Sequence, residues 1–195
     1  MKKESVIEVF KALGGVLTTK ELDANGVSYY HIKQLLVAGD IERIKQGVYR
    51  LREMTNDEMI EVQKLIPHGV FCMYSAALLH DLTTFTPSEY HVAIPHKSKV
   101  TLPAYPPIKI YYWDGSLYSL GQEERNINEI PIRVFDVEKT ICDIVKFRSK
   151  TGEDMAKEVL KEYLMIKSKN LNKLLAYSKK LKIYTVLKNY VSILT

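Results

Sequence analysis

Apolar residues recur at helical spacing through the first 40 residues of the chain. The first predicted helix carries them three or four positions apart, at Val6, Val9, Phe10 and Leu13. Gly14 and Gly15 end this helix. Thr18 then begins a second, short helix as its N-cap, because Glu21 stands three residues later and completes a capping box.

The stretch "GVSYYHIKQLLVAGDIERIKQGVY" predicts a third helix followed by a hairpin. Gly26 suits the left-handed position after the second helix, Ser28 caps the third, and Gly39 ends it. Two short strands over residues 41–51 flank Gln46-Gly47, where glycine accepts the positive φ of a tight turn. Three short helices followed by a basic hairpin are the outline of a winged helix-turn-helix.

Beyond the hairpin, the pattern changes from helix to strand and back to helix. A capping box from Thr55 to Glu58 opens a linking helix, and another short helix is predicted after Ser75. Segments rich in Val, Ile and Tyr predict strands at "EYHVAIP", "IKIYYWD" and "IPIRVFD". After Asp136, which opens a helix, helical spacing continues to the C-terminus.

The predicted fold class is therefore α+β. Residues 1–53 form an N-terminal winged helix-turn-helix, and residues 54–69 form a linker helix. Residues 70–195 form a mixed α+β domain with a small, largely antiparallel sheet and a basic helical region at the C-terminus.

The third helix has two faces when its residues are placed about 100° apart around the axis. The predicted buried face consists of Ile32, Leu35 and Leu36. His31 lies on a flank, and the opposite, outward face consists of Tyr30, Lys33, Gln34 and Val37. Lysine and glutamine can donate hydrogen bonds to base edges in a major groove, and tyrosine can reach a phosphate or stack. This helix is therefore a candidate recognition helix.

The hairpin extends this candidate surface, because its basic residues can contact flanking phosphates or enter a minor groove. The complete set of candidate DNA-contacting residues is Thr19, Ser28, Tyr29, Tyr30, His31, Lys33, Gln34, Arg43, Lys45, Gln46, Arg50 and Arg52. For one helix taken alone, simple solvation explains polar outward residues better than DNA binding does. The order of caps, turns and basic wing shifts the balance towards DNA binding, although winged helices also bind proteins.

Charge is distributed unevenly around the net value of +5. Residues 1–53 carry nine Lys or Arg against seven Asp or Glu, residues 54–145 carry seven against twelve, and residues 146–195 carry twelve against four. The last segment therefore offers a second basic surface for phosphates or an acidic partner, with candidates Lys157, Lys161, Lys179 and Lys180. A lysine-rich surface that only favours solubility is the alternative.

The sequence gives no indication of export or of a membrane helix. The N-terminus begins basic, but Glu4, Glu8 and Lys11 interrupt any apolar core of a signal peptide. The longest apolar stretch, "VFCMYSAALL", has about half the length of a membrane helix. Cys72 and Cys142 follow no disulfide or metal-ligand spacing, which is typical of reduced thiols. We therefore expect a cytoplasmic protein without a metal or a cofactor.

An enzyme is not expected, because the motifs of the competing enzyme classes are missing. No Asp or Glu has a lysine two positions later, as metal-dependent nucleases often have. Gly115-Ser116 is not accompanied by the Asp-x-Asp pair of a nucleotidyltransferase, and no Walker A or Gly-x-Gly-x-x-Gly motif occurs. His80, His91 and His96 lack a metal-binding motif, and His80 is expected to pack or form a hydrogen bond.

The chain resembles the AbiEi antitoxin family of bacterial abortive-infection toxin–antitoxin systems. Its first part resembles the family's N-terminal winged-helix domain through Leu17-Thr18-Thr19, Gly26 with Ser28, the run Gly39 to Ile44, and Gly47-Val48-Tyr49. Two later segments resemble the family through Ser75, Ala76, His80, Leu82, Pro95, Glu138, Lys139, Thr140 and Asp143. Asp81 stands where the family usually has glycine, and the resemblance weakens over roughly the last 45 residues.

This resemblance implies a role in operon control and toxin neutralisation. Such antitoxins bind inverted repeats in their own promoter through the winged helix, and their C-terminal domain counters a nucleotidyltransferase-like AbiEii toxin. The systems are of type IV, so a stable complex with the toxin is not expected, and we expect a monomer in solution that binds DNA cooperatively. The competing hypothesis is a winged-helix transcriptional regulator whose second domain senses a small molecule or a protein partner.

Overall fold

The computed structural model describes residues 2–194 and divides the chain into two compact units. The first unit runs to His68 and includes Lys99–Pro106 and Arg125–Ile132. The second unit comprises the remaining segments, which begin at Gly69, Pro107 and Arg133. The helix in the predicted linker, residues 54–69, groups with the first unit and buries apolar side chains at Ile60, Val62 and Leu65.

The first unit has the predicted winged helix-turn-helix architecture. Its helices are α1 (Lys3–Ala12), α2 (Thr19–Ala24), α3 (Tyr29–Ala38) and α4 (Glu58–Leu65). Its strands are β1 (Val16–Thr18), β2 (Ile41–Lys45) and β3 (Val48–Leu51), which form an antiparallel sheet in the order β1-β3-β2. The predicted helices and hairpin are confirmed, and β1 is an additional strand that the sequence pattern did not predict.

Apolar side chains from the helices and the sheet form one core in the first unit. Its largest members include Phe10, Leu17, Leu22, Ile32 and Ile41, all with at most 1% of their surface exposed. Because α1, α2, α3 and the small sheet all contribute to this core, burial fixes which face of α3 points outward.

Of the three helix N-caps predicted in the first unit, Thr18 is confirmed with its side-chain hydrogen bond, Ser28 is confirmed in position only, and Thr55 is wrong. Thr18 Oγ1 accepts a hydrogen bond from the Glu21 backbone N–H at 3.2 Å, and the Glu21 carboxylate accepts one from the Thr18 N–H at 2.9 Å, which confirms the capping box. Ser28 makes no side-chain cap and instead hydrogen-bonds the His31 ring at 2.8 Å. Asp57, not Thr55, caps α4, because the helix begins at Glu58 and Thr55 lies too early.

The second unit contains most of a mixed sheet and a group of helices. Its strands are β4 (Val70–Phe71), β5 (Tyr90–Pro95) and β6 (Ile108–Trp113), and the hairpin strands β7 (Gln122–Ile127) and β8 (Ile130–Phe135) belong to the same sheet. Its helices are α5 (Met73–Leu79), α6 (Gly115–Tyr118), α7 (Val137–Lys146), α8 (Arg148–Thr151), α9 (Glu153–Met165), α10 (Leu171–Lys180) and α11 (Tyr184–Leu194). The α+β class and the C-terminal helices are confirmed.

The larger sheet has the order β6-β5-β4-β8-β7 and is mixed. β4 pairs antiparallel with β5, but β5 pairs parallel with β6, and β4 pairs parallel with β8. The prediction of a largely antiparallel sheet is wrong in this respect. Parallel neighbours need a long crossover, and the proline-rich segment between Pro95 and Ile108 supplies it for β5 and β6 without a helix.

Helix α7 lies at the centre of the helical layer of the second unit. Every residue from Glu138 to Val145 is buried, and α5, α9, α10 and α11 all pack against this helix. Asp136 caps its N-terminus, as predicted, by accepting a hydrogen bond from the Lys139 N–H at 2.8 Å. Helix α5 begins at Met73, with Cys72 as its N-cap residue, rather than after Ser75. Ser75 lies inside the helix, is buried, and accepts a hydrogen bond from the His91 N–H. Within residues 2–194, no helix has the length and apolar character needed to cross a membrane.

Candidate nucleic-acid interface

Helix α3 presents the two faces that the sequence predicts. Ile32 and Leu35 are buried in the core of the first unit, and Leu36 is half-buried. On the outward side, Tyr30 is 66% exposed and Val37 is 90% exposed, with Lys33 and Gln34 also exposed. The outward face therefore combines hydrogen-bonding side chains with an apolar one.

Neighbouring side chains on the outward face of α3 interact in pairs four residues apart. The amide Nε2 of Gln34 donates a hydrogen bond to the hydroxyl of Tyr30 at 2.8 Å. The ammonium group of Lys33 lies 5.0 Å from the centre of the Tyr29 ring, which is a cation–π contact. Such pairs on a helix surface stabilise it by about 0.2–0.5 kcal/mol each, so base contacts can replace them at small cost.

Two hydrogen bonds join the N-terminus of α2 to the turn of the hairpin. Both the backbone N–H and the hydroxyl of Thr19 donate to the Gly47 carbonyl oxygen, at 2.8 and 3.2 Å. Gly47 has a φ of +76°, which the turn requires and which glycine adopts without strain. Thr19 is thus a residue that positions the wing.

The basic residues of the wing divide into solvent-facing and internally held groups. Arg43 and Gln46 are exposed, and the Arg52 side chain is 57% exposed, with Glu42 3.8 Å away. Lys45 instead donates a hydrogen bond from Nζ to the Leu65 carbonyl oxygen at 3.2 Å.

Arg50 belongs to the internally held group because it joins two carboxylates. Its guanidinium lies 2.5 Å from Glu42 and 3.0 Å from Glu61, whose carboxylate is buried. Burial raises the pKa of the Glu61 carboxyl, and the positive charge of Arg50 opposes that shift. Arg50 therefore stabilises a buried carboxylate, a role that the sequence did not predict.

A groove of about 560 Å³ runs between α1 and α3 beside the outward face. Lys3 and Val6 line it from α1, and Tyr30, Gln34 and Val37 line it from α3. Val37 was not among the candidate DNA-contacting residues, although helical spacing predicted that it lies on the outward face. Its high exposure makes it part of this surface.

The four lysines of the predicted second basic surface are exposed but divided between two helices. Lys157 and Lys161 lie on α9, and Lys179 and Lys180 lie in the last turn of α10. Lys157 is 3.6 Å from Asp154, and the ammonium group of Lys179 lies 5.5 Å from the centre of the Tyr184 ring. Local contacts thus engage two of the four.

The polar residues behind the later family resemblance are buried and bonded within the second unit. His80 Nε2 is 2.7 Å from the Phe135 carbonyl oxygen, which confirms its predicted hydrogen-bonding role. Glu138 accepts a hydrogen bond from the Tyr163 hydroxyl at 3.0 Å, and Lys139 donates to both Asp143 oxygens at 2.6 and 2.8 Å. Among the described residues, no three His, Cys, Asp or Glu side chains are grouped as a metal site requires.

Comparison with known proteins gives one family match and no match to a curated protein. The matching family is described as "Transcriptional regulator, AbiEi antitoxin", and its model covers residues 4–52. These residues run from the beginning of α1 to the end of the hairpin, so they contain all of the helix-turn-helix and its wing. Residues 4–52 of this chain are therefore similar to the AbiEi antitoxin family of transcriptional regulators, as the sequence resemblance indicated.

Proposed function

We propose that the chain represses its own operon by placing α3 in the major groove of inverted repeats in the promoter. The observation that carries this proposal is the outward face of α3, where Tyr30, Lys33 and Gln34 stand exposed on a helix whose opposite face is buried. Lysine and glutamine donors suit guanine and adenine edges, and Val37 adds an apolar contact for a thymine methyl group.

The wing supplies phosphate contacts beside the recognition helix. Arg43 and Arg52 are the basic residues of the hairpin with exposed side chains, whereas Lys45 and Arg50 are engaged inside the first unit. Arg43 is therefore the main non-specific contact in this proposal, because phosphate neutralisation adds affinity without reading sequence.

The second part of the proposal is an antitoxin activity. The N-terminal module of an antitoxin family and the later resemblance support a cytoplasmic protein that counters a nucleotidyltransferase-like AbiEii toxin. In this proposal the two proteins form no stable complex, and the antitoxin is a monomer that binds its repeats cooperatively. Rescue of toxin-expressing cells, tested with the two halves of the chain separately, assigns the activity to a part of the molecule.

DNA binding is tested by titrating the full chain against its own upstream DNA at several salt concentrations. We expect a sequence-specific complex whose affinity falls steeply with salt, since phosphate contacts release counterions. Binding no tighter than to random DNA of equal length contradicts the repressor function.

Substitutions on the two parts of the surface have different expected effects. Lys33→Ala or Gln34→Ala should cost about 1–3 kcal/mol on the operator and relax specificity, whereas Arg43→Ala should weaken all sequences alike. Lys97→Ala, which removes an exposed lysine after β5, is the matched control and should bind normally. Equal losses on all DNA sequences for Lys33→Ala, Gln34→Ala and Arg43→Ala place α3 outside the groove.

The second candidate function is a winged-helix regulator whose second unit senses a small molecule. A cavity in the second unit, between β6 and the helices, favours this alternative. The neighbouring reading frame distinguishes the two candidates, because a nucleotidyltransferase-like gene downstream supports the antitoxin and its absence supports the sensor.

A further inference from the structure

A cavity of about 360 Å³ lies in the second unit, against the edge strand β6. Its volume is at the lower end of the range for ligand pockets, about 300–1,000 Å³. Four elements contribute lining side chains, among them Met73 and Tyr74 from α5, His91 from β5, Lys109, Tyr111 and Trp113 from β6, and Lys150 from α8.

Aromatic rings form much of the wall, and their positions are fixed by contacts with one another. Tyr74 meets His91 edge-on, with ring centres 5.0 Å apart, and its hydroxyl hydrogen-bonds the Thr151 carbonyl oxygen. His91 and Tyr111 lie 5.4 Å apart, and Trp113 stacks on the buried Phe135 ring at 5.4 Å. Tyr74 and Tyr111 are half-buried, so their rings offer fixed faces for stacking a planar ring, whereas Trp113 is buried against Phe135 and Lys139 and supports the wall.

His91 is a buried polar side chain with one ring nitrogen engaged. Its Nδ1 lies 3.0 Å from the Tyr111 hydroxyl, and its backbone N–H donates to Ser75. Within residues 2–194, Nε2 makes no hydrogen bond to another side chain or carbonyl group. A lining histidine with a fixed ring and one unused nitrogen can direct a hydrogen bond to a ligand.

Two lysines at the cavity provide positive charge, one from a strand and one from a helix. Lys109 comes from the sheet, is about half exposed, and approaches Glu89 only at 4.0 Å. Lys150 comes from α8 and lies 6.0 Å from the centre of the Phe147 ring. Lys139, beneath the Trp113 ring at 3.5 Å, is already neutralised by Asp143. Lys109 and Lys150 are therefore the groups available to an anion.

The backbone at the cavity wall is also in an unusual conformation. Met73 is fully buried and has a backbone φ of +49°, which residues other than glycine rarely adopt. Such conformations persist where the surrounding structure holds them, and they are concentrated at binding sites. This feature agrees with a built pocket rather than a packing gap.

We propose that this cavity binds a small planar aromatic anion, of which a nucleoside monophosphate is the representative class. The ring stacks on Tyr74 and Tyr111, and the phosphate pairs with Lys109 and Lys150. His91 donates to or accepts from a polar atom of the ring. This site is independent of the DNA-binding surface, so either can fail without the other.

Trp113 is the single tryptophan of the chain, so its fluorescence reports on the cavity directly. The test titrates the full chain with AMP, GMP, CMP and UMP, with the corresponding nucleosides, and with inorganic phosphate, and repeats each titration by calorimetry. We expect a saturable signal with at least one monophosphate and weaker binding of its nucleoside. No saturable binding of any monophosphate, or equal binding of phosphate alone, overturns the proposal.

Charge reversal at the two lysines tests how the anion is held. Lys109→Glu with Lys150→Glu should weaken monophosphate binding by about tenfold or more, because charge-assisted contacts are lost. Lys188→Glu, an exposed reversal on α11, is the matched control and should bind as the unaltered chain does. Lys150→Ala is a milder second variant. Its thermal unfolding midpoint should equal that of the unaltered chain, so that a loss of binding is not caused by a loss of folding. Undiminished binding by these variants contradicts the assignment.

Discussion

The cationic side chains around α3 and the hairpin differ in what surrounds their charge. Lys33 and Arg43 face solvent, whereas Lys45 bonds the Leu65 carbonyl oxygen and Arg50 pairs with the buried Glu61. The outward face of α3 could be predicted from sequence, because helical periodicity alone sets it. The engagement of Lys45 and Arg50 could not, because their partners lie on α4 and only the folded chain brings them together.

Arg50→Ala should lower stability more than Arg43→Ala does. Removing Arg50 leaves the Glu61 carboxylate buried without its counter-charge, and we expect a loss of about 2–3 kcal/mol, below the value for a fully buried pair because Arg50 is partly exposed. Urea unfolding measures the difference. Adding Glu61→Gln to Arg50→Ala should recover part of the loss, and equal stability of the Arg43 and Arg50 variants contradicts this role.

His91 should make the stability of the protein depend on pH. Burial and, secondarily, nearby Lys109 lower its pKa from 6.5 to about 4, and the hydroxyls of Tyr74 and Tyr111 are the other titratable groups facing it. Between these values the unfolded chain binds a proton at His91 that the folded chain does not, so the contribution of His91 to the free energy of unfolding falls as pH decreases from about 6.5 to about 4. His91→Gln should show a smaller decrease in urea unfolding over this interval, and NMR titration of the His91 ring checks the pKa itself.

At the scale of elements, segments with clear apolar periodicity were predicted correctly, whereas three strands were missed. Helices α7, α9, α10 and α11 carry a clear apolar spacing, and the structure contains each of them. β1, β4 and β7 were missed, since β4 has two residues and the sequence of β7, "QEERNI", is almost entirely polar. These strands exist because of their neighbours in the sheets, and pairing across the sheet is not encoded in local periodicity.

Helix α7 should be sensitive to the loss of its internal ion pair. The side chains of Lys139 and Asp143 are completely buried, and burial lowers the pKa of Lys139 and raises that of Asp143 because it disfavours both charges. Lys139→Ala should cost about 3–5 kcal/mol, because it leaves an unpaired carboxylate in the core. Lys139→Met with Asp143→Leu should cost less than Lys139→Ala alone in urea unfolding. A larger cost for the double variant contradicts the desolvation argument.

At the scale of the whole molecule, the candidate DNA-contacting face and the excess of positive charge lie in different parts of the chain. The outward face of α3 belongs to the first unit, whereas the excess of lysine lies in residues 146–195, within the second. This division could be predicted from the sequence. The cavity beside β6 could not, because its lining comes from segments far apart in the chain.

Charge reversal in the C-terminal helices should separate the two proposed activities. Replacing Lys157, Lys161, Lys179 and Lys180 with glutamate should leave operator affinity unchanged and weaken rescue from the toxin, because the resemblance attributes neutralisation to this part of the chain. Gel shifts and cell survival measure the two effects. If both remain unchanged, these lysines serve only to solvate the helices.

If the proposed repressor function holds, the paired side chains on α3 also affect how its DNA target changes during evolution. Gln34 is bonded to Tyr30, and Lys33 contacts Tyr29, so replacing one member alters the rotamer freedom of the other. Operator specificity should therefore diverge in coupled steps among descendants of this protein. Positions 30 and 34 should covary, as should positions 29 and 33, while position 37, where Val37 projects outward, drifts independently.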